Sequence, residues 1–140
     1  MKRKVLFLCT GNSARSQMAE AIVNTQWGDR WQAFSAGTHP AGSVHPFALR
    51  ALAEIGIDHH TARSKSVEEF REAPFDLVVT VCDAAAEECP TWLGQGKRVH
   101  LGFPDPAQAT GSDDEVLAVF RQVRDQIQKQ IGALLQEQGT

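Results

Sequence analysis

Asp76-Leu77-Val78-Val79-Thr80-Val81-Cys82 is the most restrictive stretch of this 140-residue chain. It is apolar and β-branched with no alternation, so as a strand it has two faces to hide. Val5–Leu8, closed by a Gly-Asn-Ser turn, reads the same way. Strands of that kind belong in parallel sheets covered on both faces, and the segments between them supply the cover.

Met18, Ala19, Ile22 and Val23 lie on one face of a helix that closes near Gly28. Trp31–Ala36 reads as a second strand, broken by Gly37 and a His-Pro loop. Leu49, Leu52 and Ala53 carry a helical period after Ser43-Val44-His45-Pro46, and Gly56 sits where that helix would stop. Ser66 with Glu69 predicts a capping box for a short helix over Val67–Glu72. A short helical piece is expected over Asp83–Glu88, stopping before Pro90, and Arg98–Leu101 reads as a fourth strand. Ser112 and Glu115 form another capping box. Behind it, Val116, Val119, Phe120, Val123, Ile127, Ile131, Leu134 and Leu135 trace one face of a long last helix. The expectation is a single α/β domain over residues 1–140: a four-stranded parallel sheet with helices on both faces and right-handed crossovers.

Composition narrows the function. With 42% hydrophobic and 22% charged residues, the chain is an ordinary globular protein, too short for two independent cores. A net charge of −3 speaks against a nucleic-acid binder working by a basic surface and against attachment to acidic membranes. The N-terminal apolar run is too short for a signal peptide, and no run approaches the length of a membrane span, so a cytoplasmic protein is expected. Three cysteines, an odd number, fit no closed disulfide framework, and chemistry explains them better than stapling.

In a parallel sheet, ligands gather at the carboxyl ends of the strands. Cys9 and Cys82 lie at two such ends, and Asp105 lies just beyond a third. Between strand and helix stands Cys9-Thr10-Gly11-Asn12-Ser13-Ala14-Arg15-Ser16. Five residues between Cys9 and Arg15, with Gly and Asn early, allow the loop to curl into a cup of backbone N–H donors for a tetrahedral oxyanion. Arg15 closes the cup with a two-pronged donor suited to phosphate or arsenate. The same positive field stabilises a thiolate, and Ser16 can add a hydroxyl donor. The nucleotide-binding loop would need Gly-Lys-Ser/Thr at its end, which this segment lacks.

These residues, together with Ser35-Ala36-Gly37, Asp76–Cys82 and Gly102-Phe103-Pro104-Asp105-Pro106, resemble the low-molecular-weight protein tyrosine phosphatases and the thioredoxin-coupled arsenate reductases built on the same fold. The resemblance covers essentially the whole chain. It implies Cys9 as nucleophile, Arg15 as oxyanion binder and Asp105 as the acid that protonates the leaving oxygen. Residues 10–16 (Thr10, Gly11, Asn12, Ser13, Ala14, Arg15 and Ser16) would bind substrate.

The first motif does not separate the two branches. A phosphatase resolves its cysteinyl-phosphate with water and needs one sulfur, whereas a reductase must carry two electrons away. The reductase branch has a cysteine pair after the third strand, matched here by Cys82 and Cys89. Seven helical residues rise about 10.5 Å, while a disulfide needs Cα atoms within about 7 Å. If Asp83–Glu88 is helical in the reduced protein, a Cys82–Cys89 bond requires it to unwind, coupling oxidation to a local switch. Inert cysteines and a zinc pair are the competing readings, although structural zinc favours shorter spacings and four ligands.

Two departures from the family pattern matter. Ala107 stands where the phosphatases carry an aromatic residue, and the chain contains no tyrosine, which favours a small inorganic substrate. Some reductases bind potassium through an Asn, a Glu, a Ser and an Asp. The matching positions are Asn12, Glu20 and Ser35, but Lys65 takes the place of the Asp. Its ammonium either replaces the ion or is a solvated charge. The five histidines show no metal spacing, and His59-His60 reads as an exposed turn. The resemblance implies an arsenate reductase that needs no organic cofactor and no metal, uses a thioredoxin-type dithiol partner and works as a monomer. A phosphatase, or an oxyanion or redox sensor without turnover, are the alternatives.

Overall fold

The computed structural model describes residues 2–83, 92 and 94–138. The helical piece expected over Asp83–Glu88 falls, from residue 84 onward, outside the described residues, and so does Cys89.

The chain opens with strand β1 (Arg3–Cys9), helix α1 (Arg15–Gln26), strand β2 (Trp31–Gly37) and helix α2 (Pro46–Ala53). A one-turn 3-10 helix, Val67–Phe70, leads to β3 (Leu77–Thr80) and then β4 (Lys97–His100). A second 3-10 turn, Pro106–Gln108, precedes helix α3 (Asp113–Gln138). The strands form one parallel sheet in the order β2-β1-β3-β4. The order reverses direction at β1, so the crevice at the carboxyl end of β1 is the topological switch point where such sheets take ligands.

The lack of alternation in β1 has the consequence expected of it. Val5, Phe7 and Cys9 pack into one layer and Leu6 and Leu8 into the other, all essentially inaccessible to water. The two layers differ. Among the described residues, all three α-helices share the Val5–Phe7–Cys9 side, where Met18, Ile22, Leu52, Phe120, Ile127 and Ile131 meet the sheet. The opposite side is covered by the 3-10 helix at Val67 and an aromatic group of Phe34, Phe70, Phe75 and Trp92. Each fully buried aliphatic or Phe side chain contributes about 1.5–3 kcal/mol of transfer free energy, so this double burial is a large part of what holds the sheet. β4 is an edge strand with Lys97, Arg98 and His100 toward solvent, a pattern that discourages further pairing.

The capping signals divide. At α3, Ser112 Oγ accepts from Glu115 N–H and Glu115 returns the bond to Ser112 N–H, both at 3.2 Å, a complete capping box. At Ser66 the hydroxyl accepts from Glu68 N–H, but the Glu69 carboxylate turns to Arg63 instead. With the Glu69 carboxylate drawn chiefly to the Arg63 guanidinium, the expected helix over Val67–Glu72 shortens to one 3-10 turn over Val67–Phe70. Among the described residues no helix is long and apolar enough to cross a membrane.

Candidate active site

Cys9 ends β1, where the residue is 2% exposed, and the chain must then turn sharply to enter α1 at Arg15. Asn12 makes that turn with φ of 47°, a left-handed conformation that Asn tolerates better than most residues. The turn leaves the loop carbonyls facing outward. Thr10 O, Gly11 O and Ser13 O accept backbone N–H groups from His39, Ala41 and His45, each at 2.9 Å. Ser64 Oγ also donates to Gly11 O at 3.1 Å. On the inner side, Asn12 N–H points at Cys9 Sγ at 3.2 Å. With its carbonyls held from outside, the loop presents donors to the sulfur, as an oxyanion cup requires.

The motif Ser35-Ala36-Gly37 has a steric reason. A Cβ on Gly37 would lie 2.5 Å from Thr10 O and 2.9 Å from Asn12 N, so only glycine lets β2 end against the loop. Gly37 N–H donates to Lys65 O, and Gly37 pairs with Ser66 in a parallel bridge. This lays residues 63–66 along the loop.

Around the sulfur the polar groups are ordered. Ser16 Oγ is 2.8 Å from Cys9 Sγ and is itself 2.8 Å from Asn12 Nδ2. Lys65 N–H, which can only donate, reaches Asn12 Oδ1 at 2.7 Å and fixes the orientation of that amide. Asn12 Nδ2 therefore donates to Ser16, whose own hydrogen is left for the sulfur. Arg15 is 4% exposed, donates through Nη1 to Phe103 O at 3.2 Å, and brings Nη2 to 3.7 Å from Asp105 Oδ2. Asp105 is the N-cap of the Pro106–Gln108 turn, with Oδ1 accepting Ala107 N–H at 3.0 Å. Turn former and active-site neighbour are thus one residue using its two oxygens. The tertiary structure brings together Cys9, residues 10–16 and Asp105. Cys82 is fully buried just beyond β3 and is disulfide-bonded, whereas Cys9 is a free thiol.

Lys65 is not a solvated charge. Its side chain is 12% exposed, and its ammonium lies 3.4 Å from Glu20 Oε1 and 3.1 Å from Arg63 O. Ser35 Oγ donates to the same Glu20 oxygen at 2.8 Å. Asn12, Glu20, Ser35 and Lys65 therefore form one connected network. Among the described residues no group of three or more His, Cys, Asp and Glu side chains is arranged to hold a metal ion.

The places of two histidines, His59 and His45, were not legible in the sequence. His59, read as part of an exposed turn, is 11% exposed and bonds through Nε2 to Gln17 Oε1 at 2.8 Å. Its neighbour His60 is exposed, as expected. Burial pushes the His59 pKa below its ordinary value, assisted by the Lys65 ammonium and opposed by Glu20. The neutral imidazole follows, and the 3.8 Å approach to Glu20 is then no full ion pair, so Lys65 is the charged partner of Glu20. His45 is the N-cap of α2. Nδ1 accepts Phe47 N–H at 3.1 Å and the ring packs on Phe120. A signal for His45 was present in the following proline, which favours the first position of a helix.

The chain is similar to arsenate reductases and to a protein tyrosine phosphatase. An arsenate reductase of Halalkalibacterium halodurans is 48% identical over 130 residues, covering 93% of each chain. One from Bacillus subtilis is 44% identical over 128 residues, covering 91% of each. Among solved structures, an arsenate reductase in its reduced state superimposes with a TM-score of 0.78 at 30% identity, covering 98% of this chain and 99% of the other. The low-molecular-weight protein tyrosine phosphatase of T. tengcongensis gives 0.75 at 26% identity, covering 97% and 99%. The family model of the low molecular weight phosphotyrosine protein phosphatases matches residues 4–139, and with the sheet order and the Cys9 loop this makes the chain a member of that family.

Proposed function

We propose that this protein is an arsenate reductase that passes electrons through Cys9, Cys82 and Cys89. The observation that carries the reading is the buried Cys9 thiol with the Asn12 N–H and the Ser16 hydroxyl directed at it, at the start of a loop whose Arg15 pairs with Asp105. The choice of arsenate is supported by arsenate reductases 42–48% identical to the chain. A second, buried cysteine beyond the neighbouring strand supports a redox reaction over hydrolysis.

The Cys9 thiolate attacks arsenate held by the loop and Arg15. A sulfur–arsenic bond forms, and one oxygen leaves as water with a proton from Asp105. Cys82, its disulfide first reduced by the dithiol partner, then attacks the Cys9 sulfur as thiolate. The sulfur–arsenic bond breaks with its electron pair remaining on arsenic, which falls from pentavalent to trivalent and departs as arsenite. Cys89 attacks Cys82 in turn, giving a Cys82–Cys89 disulfide and returning Cys9 as thiolate. A dithiol protein of the thioredoxin type reduces that bond by exchange. No organic cofactor enters these steps. The relay needs reduced thiols, which fits the cytoplasm, and its steps call on a single copy of the chain.

Potassium is not required in this reading. Glu20 Oε1 already serves Ser35 and Lys65, and Asn12 Oδ1 already accepts from Lys65 N–H and Gln17. The Lys65 ammonium supplies the positive charge that an ion would bring.

The test is arsenate turnover with thioredoxin, thioredoxin reductase and NADPH, beside a glutathione–glutaredoxin control. Continuous arsenite production with the thioredoxin system supports the relay. Release of a single equivalent would instead mark a sensor, and phosphate ester hydrolysis without arsenite a phosphatase.

A further inference from the structure

The network around Cys9 extends beyond the loop, and one chain of donors within it runs toward the sulfur. Groups with only one possible role fix the directions. Gln17 Nε2 lies 2.8 Å from Arg63 O and 3.3 Å from Asn12 O, both of which only accept, so this end of the amide is the NH₂. The other end, Oε1, then accepts from His59, whose proton is on Nε2. Gln17 Nε2 also donates to Asn12 Oδ1 at 2.8 Å. Asn12 Nδ2 donates to Ser16 Oγ, and Ser16 donates to Cys9 Sγ. His59, Gln17, Asn12, Ser16 and Cys9 are thus joined by four hydrogen bonds, each of 2.8 Å.

We propose that His59 is a positioning residue for the Cys9 thiolate, acting through Gln17, Asn12 and Ser16. This rests on Cys9 being the nucleophile of the reaction above. Each dipole places its positive end nearer the sulfur, and each bond polarises the next, an effect strengthened where the groups are shielded from water. Gln17, Ser16 and Asn12 are completely buried, and His59 closes the chain at its outer end. Its N–H holds Gln17 Oε1, so that the opposite end of that amide stays on Asn12. The tautomer of His59, rather than its charge, performs this task. That separates it from the role of Lys65, which is a charge beside Glu20.

The experiment measures the rate at which iodoacetamide alkylates Cys9 as pH is varied, read by peptide mass mapping so that the other cysteines do not contribute. Ser16→Ala, which removes the bond to the sulfur, should slow alkylation at mildly acid pH by about tenfold, the weight of one hydrogen bond to a charged group. His59→Ala should slow it about two- to threefold and move the profile toward higher pH, as expected for loss of polarisation along the chain. Gln17→Leu, which cuts the chain from within, should do the same and serves if His59→Ala folds poorly. His59→Gln, which can donate to Gln17 but cannot become charged, should restore the wild-type profile. Profiles of His59→Ala and Gln17→Leu that coincide with wild type would overturn the proposal, whatever their melting temperatures. Failure of His59→Gln to rescue would overturn it too, and would assign the effect to the Glu20 contact. Absence of arsenite production by the unmodified protein would remove the reductase reading alone, because alkylation tests the chain without arsenate.

Discussion

Arg15 and Asp105 meet at the mouth of the Cys9 loop, with Nη2 3.7 Å from Oδ2. Arg15 is also anchored to Phe103 O at 3.2 Å, and Asp105 to Ala107 N–H at 3.0 Å. Each side chain is thus held by a backbone group outside the pair, which pre-sets the guanidinium and the carboxyl relative to each other.

Arg15→Lys should lower arsenate kcat/KM severely, because a point charge cannot grip two oxyanion oxygens while holding Phe103 O. Cys9→Ser should abolish both arsenate reduction and any phosphatase side activity. Steady-state kinetics on both variants, with circular dichroism to verify folding, makes the check. Near-normal efficiency in either would remove the loop from the mechanism.

In Asp105→Asn the turn is expected to survive, since an amide oxygen can still accept Ala107 N–H. Only the transferable proton is lost. Single-turnover arsenite release should slow by about 10²–10⁴-fold while oxyanion affinity, followed by titration with phosphate, stays within a few-fold. An unchanged single-turnover rate would return Asp105 to the status of a turn residue.

Cys89→Ser separates the relay from simpler schemes. One equivalent of arsenite should still form, after which the disulfide stops at Cys9–Cys82. Both of those positions are buried, at 2% and 0% exposure, so thioredoxin has no access and multiple turnover should collapse. Phosphatase activity, which needs Cys9, Arg15 and Asp105, should persist. Peptide mapping without reduction locates the bond, and sustained thioredoxin-coupled turnover would sink the three-cysteine scheme.

Lys65 at 3.4 Å from Glu20 predicts that exchanging sodium for potassium at constant ionic strength changes neither activity nor melting temperature appreciably. Lys65→Asp should create a potassium response that the parent lacks. A potassium-specific stabilisation of the unmodified protein is the contrary result.

Glu54, just past α2, binds Arg121 and Arg124 of α3, and the hydrogen bonds from Arg121 lead in holding its pKa down to about 2. A carboxylate with a depressed folded pKa contributes stability above its unfolded value, and that contribution is lost as pH falls from about 4.5 toward 2. Glu54→Gln should therefore lower the melting temperature at neutral pH, with the gap to wild type narrowing through this acid window. A gap of constant size across it would contradict the linkage.

The strands, the helix faces and the loop from Cys9 to Ser16 were determined by the sequence alone, because each depends on neighbours within a turn or a strand. Unalternated β-branched runs demand a sheet buried on both faces, and Gly and Asn soon after Cys9 allow the tight turn into α1. What tertiary structure decided lies at contacts of long range. Lys65 and His59 are ordinary polar residues of a loop in sequence, and both become parts of the site only because Gly37 admits residues 63–66 against the Cys9 loop. His59 reaches Gln17 across 42 positions and Arg15 reaches Phe103 across 88. Local periodicity carries no information about such pairs. They are fixed by which strand lies beside β1 and by the requirement that a buried amide, hydroxyl or ammonium find a partner there.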